Sequence, residues 1–321
     1  RYLEAGADII TANTFSCQRI SQADYHLENC AREMAFEGAR LARIECDKFS
    51  TPDKPRFVAG DVGPTNKTCS MSPDVSNSAA REITYDELFT DVCEQVDGLI
   101  EGGADVILIE TIFDTLNCKA MIDAALTMMK KHGVELPVMI SLTVSDLAGR
   151  TLSGQTVDAF LASLSPYPIF SVGMNCAFGA PQMKPFIEHM AQVAPYYISA
   201  YPNAGLPNEM GEYDETAESM APQIAEFIDE GIVNIIGGCC GTSPEFIAHY
   251  ARIAEGKKPH QVVEKPKYMW LSGLDLLQVD DSVHLPVDAS RFVNVGERCN
   301  VAGSRKFLRL INEKNYEEAI G

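Results

Sequence analysis

The sequence is short of basic residues and contains no long apolar run. Lys and Arg number 26 against 45 Asp and Glu, which gives a formal charge of −19. We expect neither a nucleic-acid partner nor a membrane partner, because a chain this acidic binds phosphate backbones and anionic surfaces poorly. No run reaches the ~18 apolar residues of a membrane span. The chain opens with Arg1 instead of Met, without a signal-peptide pattern, so we expect a piece of a longer protein.

Cysteine is also too dilute for a disulfide scaffold, with 10 residues in 321. We therefore expect a reducing, cytoplasmic location, with most thiols as small core side chains. The GxGxxG and P-loop motifs of nucleotide sites are absent. The six histidines fall in predicted helices or in the connector after them. Their positions argue against a histidine metal site and against a Ser-His-Asp triad.

Short apolar runs alternate with amphipathic stretches along residues 1–256. Strands that alternate with helices in this way are typical of βαβ units with a parallel sheet. The predicted strands are residues 7–15, 56–64, 106–111, 138–144, 169–177, 196–203 and 234–242. The predicted helices are residues 18–47, 85–101, 114–131, 156–164, 180–193, 214–230 and 244–255.

The repeat predicts an α/β fold, a (β/α)8 TIM-type barrel that lacks its first strand. Residues 1–5 look like the end of a helix, since glycine-containing helix ends also precede the predicted strands at 106–111 and 234–242. Seven visible strand–helix units plus one incomplete unit make the eight of a barrel. A doubly wound open sheet is the alternative.

The repeating pattern ends near Gly256. We predict a barrel domain over residues 1–256 and a linker over residues 257–290 with weak periodicity. A new strand at 291–300 and a helix at 304–311 would then open a second, truncated domain over residues 291–321.

Three cysteines lie at predicted strand ends, where barrel proteins place their functional groups. Cys176 follows one strand, and Cys239 and Cys240 follow another within the sequence GGCCG. Three thiolates hold Zn²⁺ well and leave a fourth position open. Adjacent cysteines reach one ion only where the backbone bends, which the flanking glycines permit. The alternative is a glycine-rich turn with two buried thiols or a vicinal disulfide.

Two carboxylates are further candidates. Glu110 ends the apolar run Val106–Ile109, so we expect it to be partly buried and to face the barrel mouth. It would either anchor a ligand ammonium or bond to nearby backbone amides. Asp61 begins the sequence DVGPT, which would either contribute to the site or form a tight turn with a helix cap.

Residues 174–176 (MNC) followed by 237–241 (GGCCG) resemble the homocysteine S-methyltransferase family. The resemblance extends to about residue 256 through residues 7–15 (ADIITANTF), 59–65 (AGDVGPT), 108–111 (LIET) and 201–207 (YPNAGLP). It implies a (β/α)8 barrel in which Cys176, Cys239 and Cys240 bind one zinc ion that activates homocysteine. Glu110 would hold the substrate ammonium, and Asp61 and Asn175 would shape the pocket. In the family, the strand that is absent here supplies another acidic residue to the substrate amino group.

The last residues of the chain make the resemblance more specific. Residues 293–300 (VNVGERCN) look like the opening of a pterin-binding barrel, and Asn300, Gly303, Ser304 and Arg305 would contact the pterin. A homocysteine barrel followed by a pterin-binding barrel resembles the domain order of the cobalamin-dependent methionine synthases. Residues 150–155 (RTLSGQ) are also similar to those enzymes. The resemblance implies a methylcobalamin donor bound by a domain of the same polypeptide outside this chain. Methyltetrahydrofolate would re-methylate the cobalamin at the adjoining domain.

Two alternatives remain at this point. The first is a homocysteine methyltransferase that uses betaine or S-methylmethionine as its donor. The second is a non-catalytic barrel with a structural zinc, which four protein ligands would close.

Overall fold

The computed structural model describes residues 1–265, 269–279 and 301–320. It divides into two compact units, Arg1–Gln278 and Val279–Gly321. The strand predicted at 291–300 lies outside the described residues. Within the described ranges, no helix is long and apolar enough to cross a bilayer.

The first unit contains a parallel sheet of seven strands. They are β1 (Ile9–Thr11), β2 (Phe57–Val62), β3 (Val106–Ile112), β4 (Val138–Leu142), β5 (Ser171–Asn175), β6 (Tyr197–Tyr201) and β7 (Ile235–Ile236). Each strand pairs with the next along the chain, all in parallel. A doubly wound sheet reverses its strand order, so this sequential order excludes that alternative.

The sheet curls, as a TIM-type barrel requires. Two contacts bring the start of the chain to the region after β7. The hydroxyl of Tyr2 lies 3.5 Å from the carbonyl oxygen of Thr242. Gly6 approaches Ala251 so closely that a Cβ atom at position 6 would lie 3.0 Å from the alanine methyl.

Helices follow the strands in the predicted alternation. They are α1 (Arg19–Gln22), α2 (Ala31–Phe49), α3 (Tyr85–Glu101), α4 (Thr115–His132), α5 (Val157–Leu164), α6 (Ala180–Val193), α7 (Ala217–Asp229) and α8 (Pro244–Ala254). Side-chain caps begin several of them: Thr84 forms a capping box with Glu87, and Asp114 accepts from the first amides of α4. Strands such as β4 are buried on both faces, because the helices cover the outer face of the sheet and side chains of neighbouring strands pack on the inner face.

The single helix predicted over residues 18–47 is wrong. After α1 the chain makes two 3₁₀ turns, Ala23–Tyr25 and Glu28–Cys30, before α2 begins. His26 adopts a left-handed φ of 58°, which interrupts the helical path. The two turns contain no buried residue, so no apolar face packs this segment into a continuous helix.

The segment predicted as a linker contains two strands, β8 (Met269–Ser272) and β9 (Leu276–Val279), which pair with each other. Residues 273–275 join them, and so short a connection makes them a β-hairpin. β8 packs against α5. The second unit contains α9 (Arg305–Asn312) and α10 (Tyr316–Ile320), which confirms the helix predicted near 304–311.

Asp97 on α3 joins the side chains of two neighbouring helices. Its carboxylate lies 2.7 Å from Arg32 Nε, 2.6 Å from Lys131 Nζ and 2.8 Å from His132 Nε2. Burial by itself would raise the pKa of Asp97, but hydrogen bonds from Lys131, His132 and Arg32 outweigh it and hold the pKa well below its usual range. Asp97 therefore stabilises α3 against α2 and α4 as an anion.

The substitution Asp97→Asn should lower the free energy of unfolding at pH 7 by about 1–3 kcal/mol, because it removes a buried anion from its partners. The folded-state pKa is depressed, so the contribution of Asp97 is fully present above its unfolded pKa of about 4 and is lost as the pH falls through the folded value. Urea denaturation at pH 7 and at pH 3 should show the difference from wild type shrinking. Asp158→Asn, which breaks the more exposed pair with His189, is the matched control and should cost less than about 1 kcal/mol. Equal losses for the two variants would contradict this assignment.

Candidate metal centre

Three sulfur atoms meet where β5 and β7 end. The Sγ atoms of Cys176, Cys239 and Cys240 all lie within 4.8 Å of one another. Cys240 Sγ is 3.7 Å from Cys176 Sγ and 4.0 Å from Cys239 Sγ. Tetrahedral ligands at about 2.3 Å from one zinc ion stand roughly 3.8 Å apart. The spacing therefore suits a shared ion, and no other such group of Cys, His, Asp and Glu occurs in the parts of the chain that the structure describes.

The loop after β7 bends so that adjacent cysteines serve the same cluster. Cys239 N donates to the carbonyl of Pro202 (2.9 Å), and Cys240 N donates to Asn203 Oδ1 (3.1 Å). Gly241 then takes a left-handed φ of 79°, and a Cβ there would lie 2.5 Å from Tyr213 Cβ. The bend predicted for the paired cysteines thus depends on Gly241 and on the segment after β6.

Cys176 projects its sulfur from strained backbone. Its φ is 60°, and Ala177 follows with a φ of 57°. Cys176 N donates to the carbonyl of Tyr201 (3.2 Å) on the neighbouring strand. Left-handed non-glycine residues each cost about 1–3 kcal/mol and cluster at functional sites, where the surrounding structure holds them in place.

The three thiols share negative charge unevenly. Hydrogen bonding from Cys239 lowers the pKa of Cys176 to about 5. The same bond raises the pKa of Cys239, and burial raises the pKa of Cys240. The cluster therefore concentrates a thiolate at Cys176, and thiolates are the form of cysteine that binds metals.

Asn175 connects the ends of four strands around the cluster. Its Oδ1 accepts from Thr111 N (3.0 Å) and from Ser141 Oγ (2.6 Å). Its Nδ2 donates to Thr111 Oγ1 (2.7 Å) and points at Cys239 Sγ (3.9 Å). Because Asn175 is almost completely buried, these partners satisfy an amide that would otherwise be costly to desolvate.

Asp61 and Glu110 form a carboxyl pair on the adjacent strands β2 and β3. Burial, with the nearby charge of Glu110 as a second cause, holds the pKa of Asp61 well above its usual range. Burial also raises the pKa of Glu110, although its hydrogen bond with Asp61 opposes that rise. Asp61 Oδ1 is buried and has no hydrogen-bond partner among the residues that the structure describes. The two carboxyl groups can therefore share one proton between two of their oxygens. Asp61 Oδ1 is then an acceptor that no described residue uses.

Sequence reasoning missed several residues of the site. Tyr213 packs on Gly241 and forms a hydrogen bond with Cys240; burial and this bond raise the pKa of Tyr213 to about 12. Tyr213 lies in an irregular loop, so no periodic pattern indicated it. Thr111 and Ser141 lie at or near the ends of predicted strands, and Asn203 is the second residue after β6.

The residues expected to contact a pterin belong to the second unit. Asn300 lies outside the described residues. Gly303 precedes Ser304, whose Oγ accepts from Phe307 N (3.1 Å), and Arg305 is the first residue of α9. Ser304 thus caps a helix, and a pterin contact for these residues stays a prediction.

Asn175→Ala should lower the free energy of unfolding by more than Ser141→Ala, because it leaves the Thr111 amide and the Ser141 hydroxyl without an acceptor. We expect about 2–4 kcal/mol for Asn175→Ala and about 1 kcal/mol for Ser141→Ala, which removes only one of the bonds. Chemical denaturation of the two variants measures this difference. Similar values for both would show that Asn175 does not organise the strand ends.

Comparisons with known proteins agree with this architecture. Residues 1–254 match the profile of the homocysteine S-methyltransferase family. The structure is similar to the metallated form of the homocysteine methyltransferase MmuM from Escherichia coli, with a TM-score of 0.62 and 19% identity over 78% of this chain and 81% of that chain. The oxidized form of MmuM gives a TM-score of 0.59 at 20% identity over 78% and 81% of the two chains. At such identities the structural likeness shows the fold alone. The profile match spans most of the sequence, and the chain therefore belongs to the homocysteine S-methyltransferase family, a family of methyltransferases.

Proposed function

We propose that the chain binds one Zn²⁺ through Cys176, Cys239 and Cys240 and transfers a methyl group to homocysteine, giving methionine. The observation that carries this proposal is the meeting of three Sγ atoms within 4.8 Å at the strand ends. An all-sulfur donor set suits zinc better than magnesium or calcium. Among the described residues no fourth Cys, His, Asp or Glu completes the group, which favours an open catalytic site over a closed structural one.

A bound zinc ion would keep the homocysteine sulfur as a thiolate at neutral pH, where a free thiol with a pKa of about 8.5 is mostly protonated. The residues around the cysteines hold that donor set in place. Asn175 directs a hydrogen-bond donor at Cys239, and Tyr213 contributes a hydrogen bond to Cys240. Such outer contacts orient metal ligands and tune their basicity.

The carboxyl pair gives the site a place for the amino group of homocysteine. Asp61 is buried and Glu110 is partly buried, and Asp61 Oδ1 has no other partner within the described ranges. An ammonium group brings three donors and a positive charge to these oxygens. In this proposal Glu110 binds the ammonium group and Asp61 accepts a further hydrogen bond from it. Asn175 shapes the pocket beside them.

We propose methylcobalamin as the methyl donor, bound by a domain of the same polypeptide outside this chain, as in cobalamin-dependent methionine synthase. Large apolar side chains are exposed on the loops after β4 and β6, namely Leu147, Leu152, Leu206 and Met210. Apolar groups on the face that carries the site suit contact with a macromolecule. A small donor such as betaine or S-methylmethionine, the alternative, does not require them.

The remaining parts of the proposal follow from the resemblance of residues 293–305. Methyltetrahydrofolate would re-methylate the cobalamin at the adjoining domain, with Asn300, Gly303, Ser304 and Arg305 near the pterin. The nine cysteines that the structure describes are free thiols, which supports a reducing, cytoplasmic location.

Serine at position 176, 239 or 240 should abolish both zinc retention and methyl transfer, because the hydroxyl is a poor ligand for zinc. Metal analysis after dialysis and methionine formation from homocysteine measure the two effects. Cys30→Ser, outside the cluster, is the matched control and should keep both. A cluster variant with full zinc content and full activity would refute the assignment. Parallel assays with methylcobalamin, betaine and S-methylmethionine identify the donor.

Glu110→Gln should weaken homocysteine binding by about 10- to 100-fold, since a charge-assisted hydrogen bond contributes about 1.5–3 kcal/mol. Zinc content should not change. The analogue 4-mercaptobutanoate lacks the amino group, so wild type and variant should bind it equally. Calorimetric titration of both ligands measures this, and an equal loss for the two would argue against an ammonium site at Glu110.

A further inference from the structure

A β-hairpin, residues 269–279, is fastened to the loop between β4 and α5. We call residues 150–156 of that loop the clamp. Thr156 N donates to the carbonyl of Leu274 (2.9 Å), and Arg150 Nη2 lies 2.8 Å from Asp275 Oδ1. Gln155 Nε2 donates to the carbonyl of Gly273 (3.0 Å). Every residue of the hairpin turn is therefore bonded to the clamp.

The clamp also holds the chain that leaves β3. The amide and hydroxyl of Ser153 both donate to the carbonyl of Phe113, at 3.3 and 3.1 Å. The hydroxyl of Thr115, the first residue of α4, donates to Gln155 Oε1. The oxygen of the Gln155 side-chain amide thus bonds to the start of α4, three residues after β3 ends, and its nitrogen bonds to the hairpin.

The end of β3 needs such support because its backbone is strained. Thr111 is β-branched and has a φ of 58°, and the register with β4 shifts between Ile109 and Ile112. A residue in this conformation persists only where its surroundings hold it. Glu110 immediately precedes Thr111, so the direction of its carboxylate depends on that conformation.

We propose that Gln155 is a positioning residue, through which the docked hairpin holds the β3 end and so sets the affinity of Glu110 for the substrate ammonium. This inference rests on the proposed function of Glu110. It gives the hairpin a role in substrate affinity and leaves the cysteine cluster independent of it, since no hydrogen bond of the clamp reaches a cysteine among the described residues.

Gln155→Glu is the sharpest test, because a carboxylate still accepts from Thr115 but does not donate to Gly273. In the zinc-loaded chain we expect homocysteine affinity to fall about 3- to 10-fold, the usual effect of one hydrogen bond. The affinity for 4-mercaptobutanoate, zinc content and kcat should not change. In the metal-free chain, amide hydrogen exchange across residues 110–113 should accelerate.

Two further variants keep the test decisive. Thr115→Val breaks the opposite side of the same bridge and should reproduce the effect, and the double variant should lose less than the sum of the two. Ser272→Ala removes only the hairpin's bond to the carbonyl of Ala159 (2.6 Å) and is the matched control.

The outcomes separate the two proposals. Unchanged homocysteine affinity in Gln155→Glu, or an equal loss for both ligands, would overturn the positioning role while leaving the proposed function intact. A wild-type chain that binds zinc but not homocysteine would overturn the proposed function, and the positioning role with it.

Discussion

The candidate metal centre depends on bringing three thiols from the ends of two strands to one point. β6 lies between β5 and β7, so the side chain of Cys176 must extend past the end of β6 to meet Cys239 and Cys240. Two features make this possible: left-handed backbone at Cys176 and a glycine-controlled bend after Cys240. Hydrogen bonds to Tyr201, Pro202 and Asn203 fix both of them to the intervening β6 and the residues after it. The positions of β6 and its following residues therefore decide whether the cluster exists.

The same edge of the sheet combines strain with buried charge. Thr111 and Cys176 occupy unfavourable backbone conformations, and Asp61 and Glu110 place two carboxyl groups in a buried environment. Each of these features costs stability. Asn175 partly offsets the cost by satisfying Thr111 and Ser141 while approaching Cys239. Such a concentration of unfavourable features at one edge is typical of a site selected for function.

The sequence predicted the regular part of this arrangement well. Strand–helix alternation gave the parallel sheet in its correct order, because apolar runs covered on both faces are a strong signal. The cluster was predictable because parallel strands end at the same edge, which brings Cys176 near the paired cysteines. The local failures have physical causes. The interruption at His26 depends on a left-handed residue and on the absence of buried residues in the two turns. The hairpin at 269–279 consists of two strands of four residues, and the side chains of its first strand are little buried. Tyr213 and Gln155 act through tertiary contacts that leave no pattern along the chain.

X-ray absorption at the zinc edge, on the zinc-loaded chain with and without homocysteine, tests the central claim most directly. The account predicts three sulfur neighbours and one lighter atom around zinc in the free chain. It predicts four sulfur neighbours once homocysteine is added. Four sulfur or nitrogen ligands from the protein that stay the same in the presence of homocysteine would mean a closed structural site and would contradict the account.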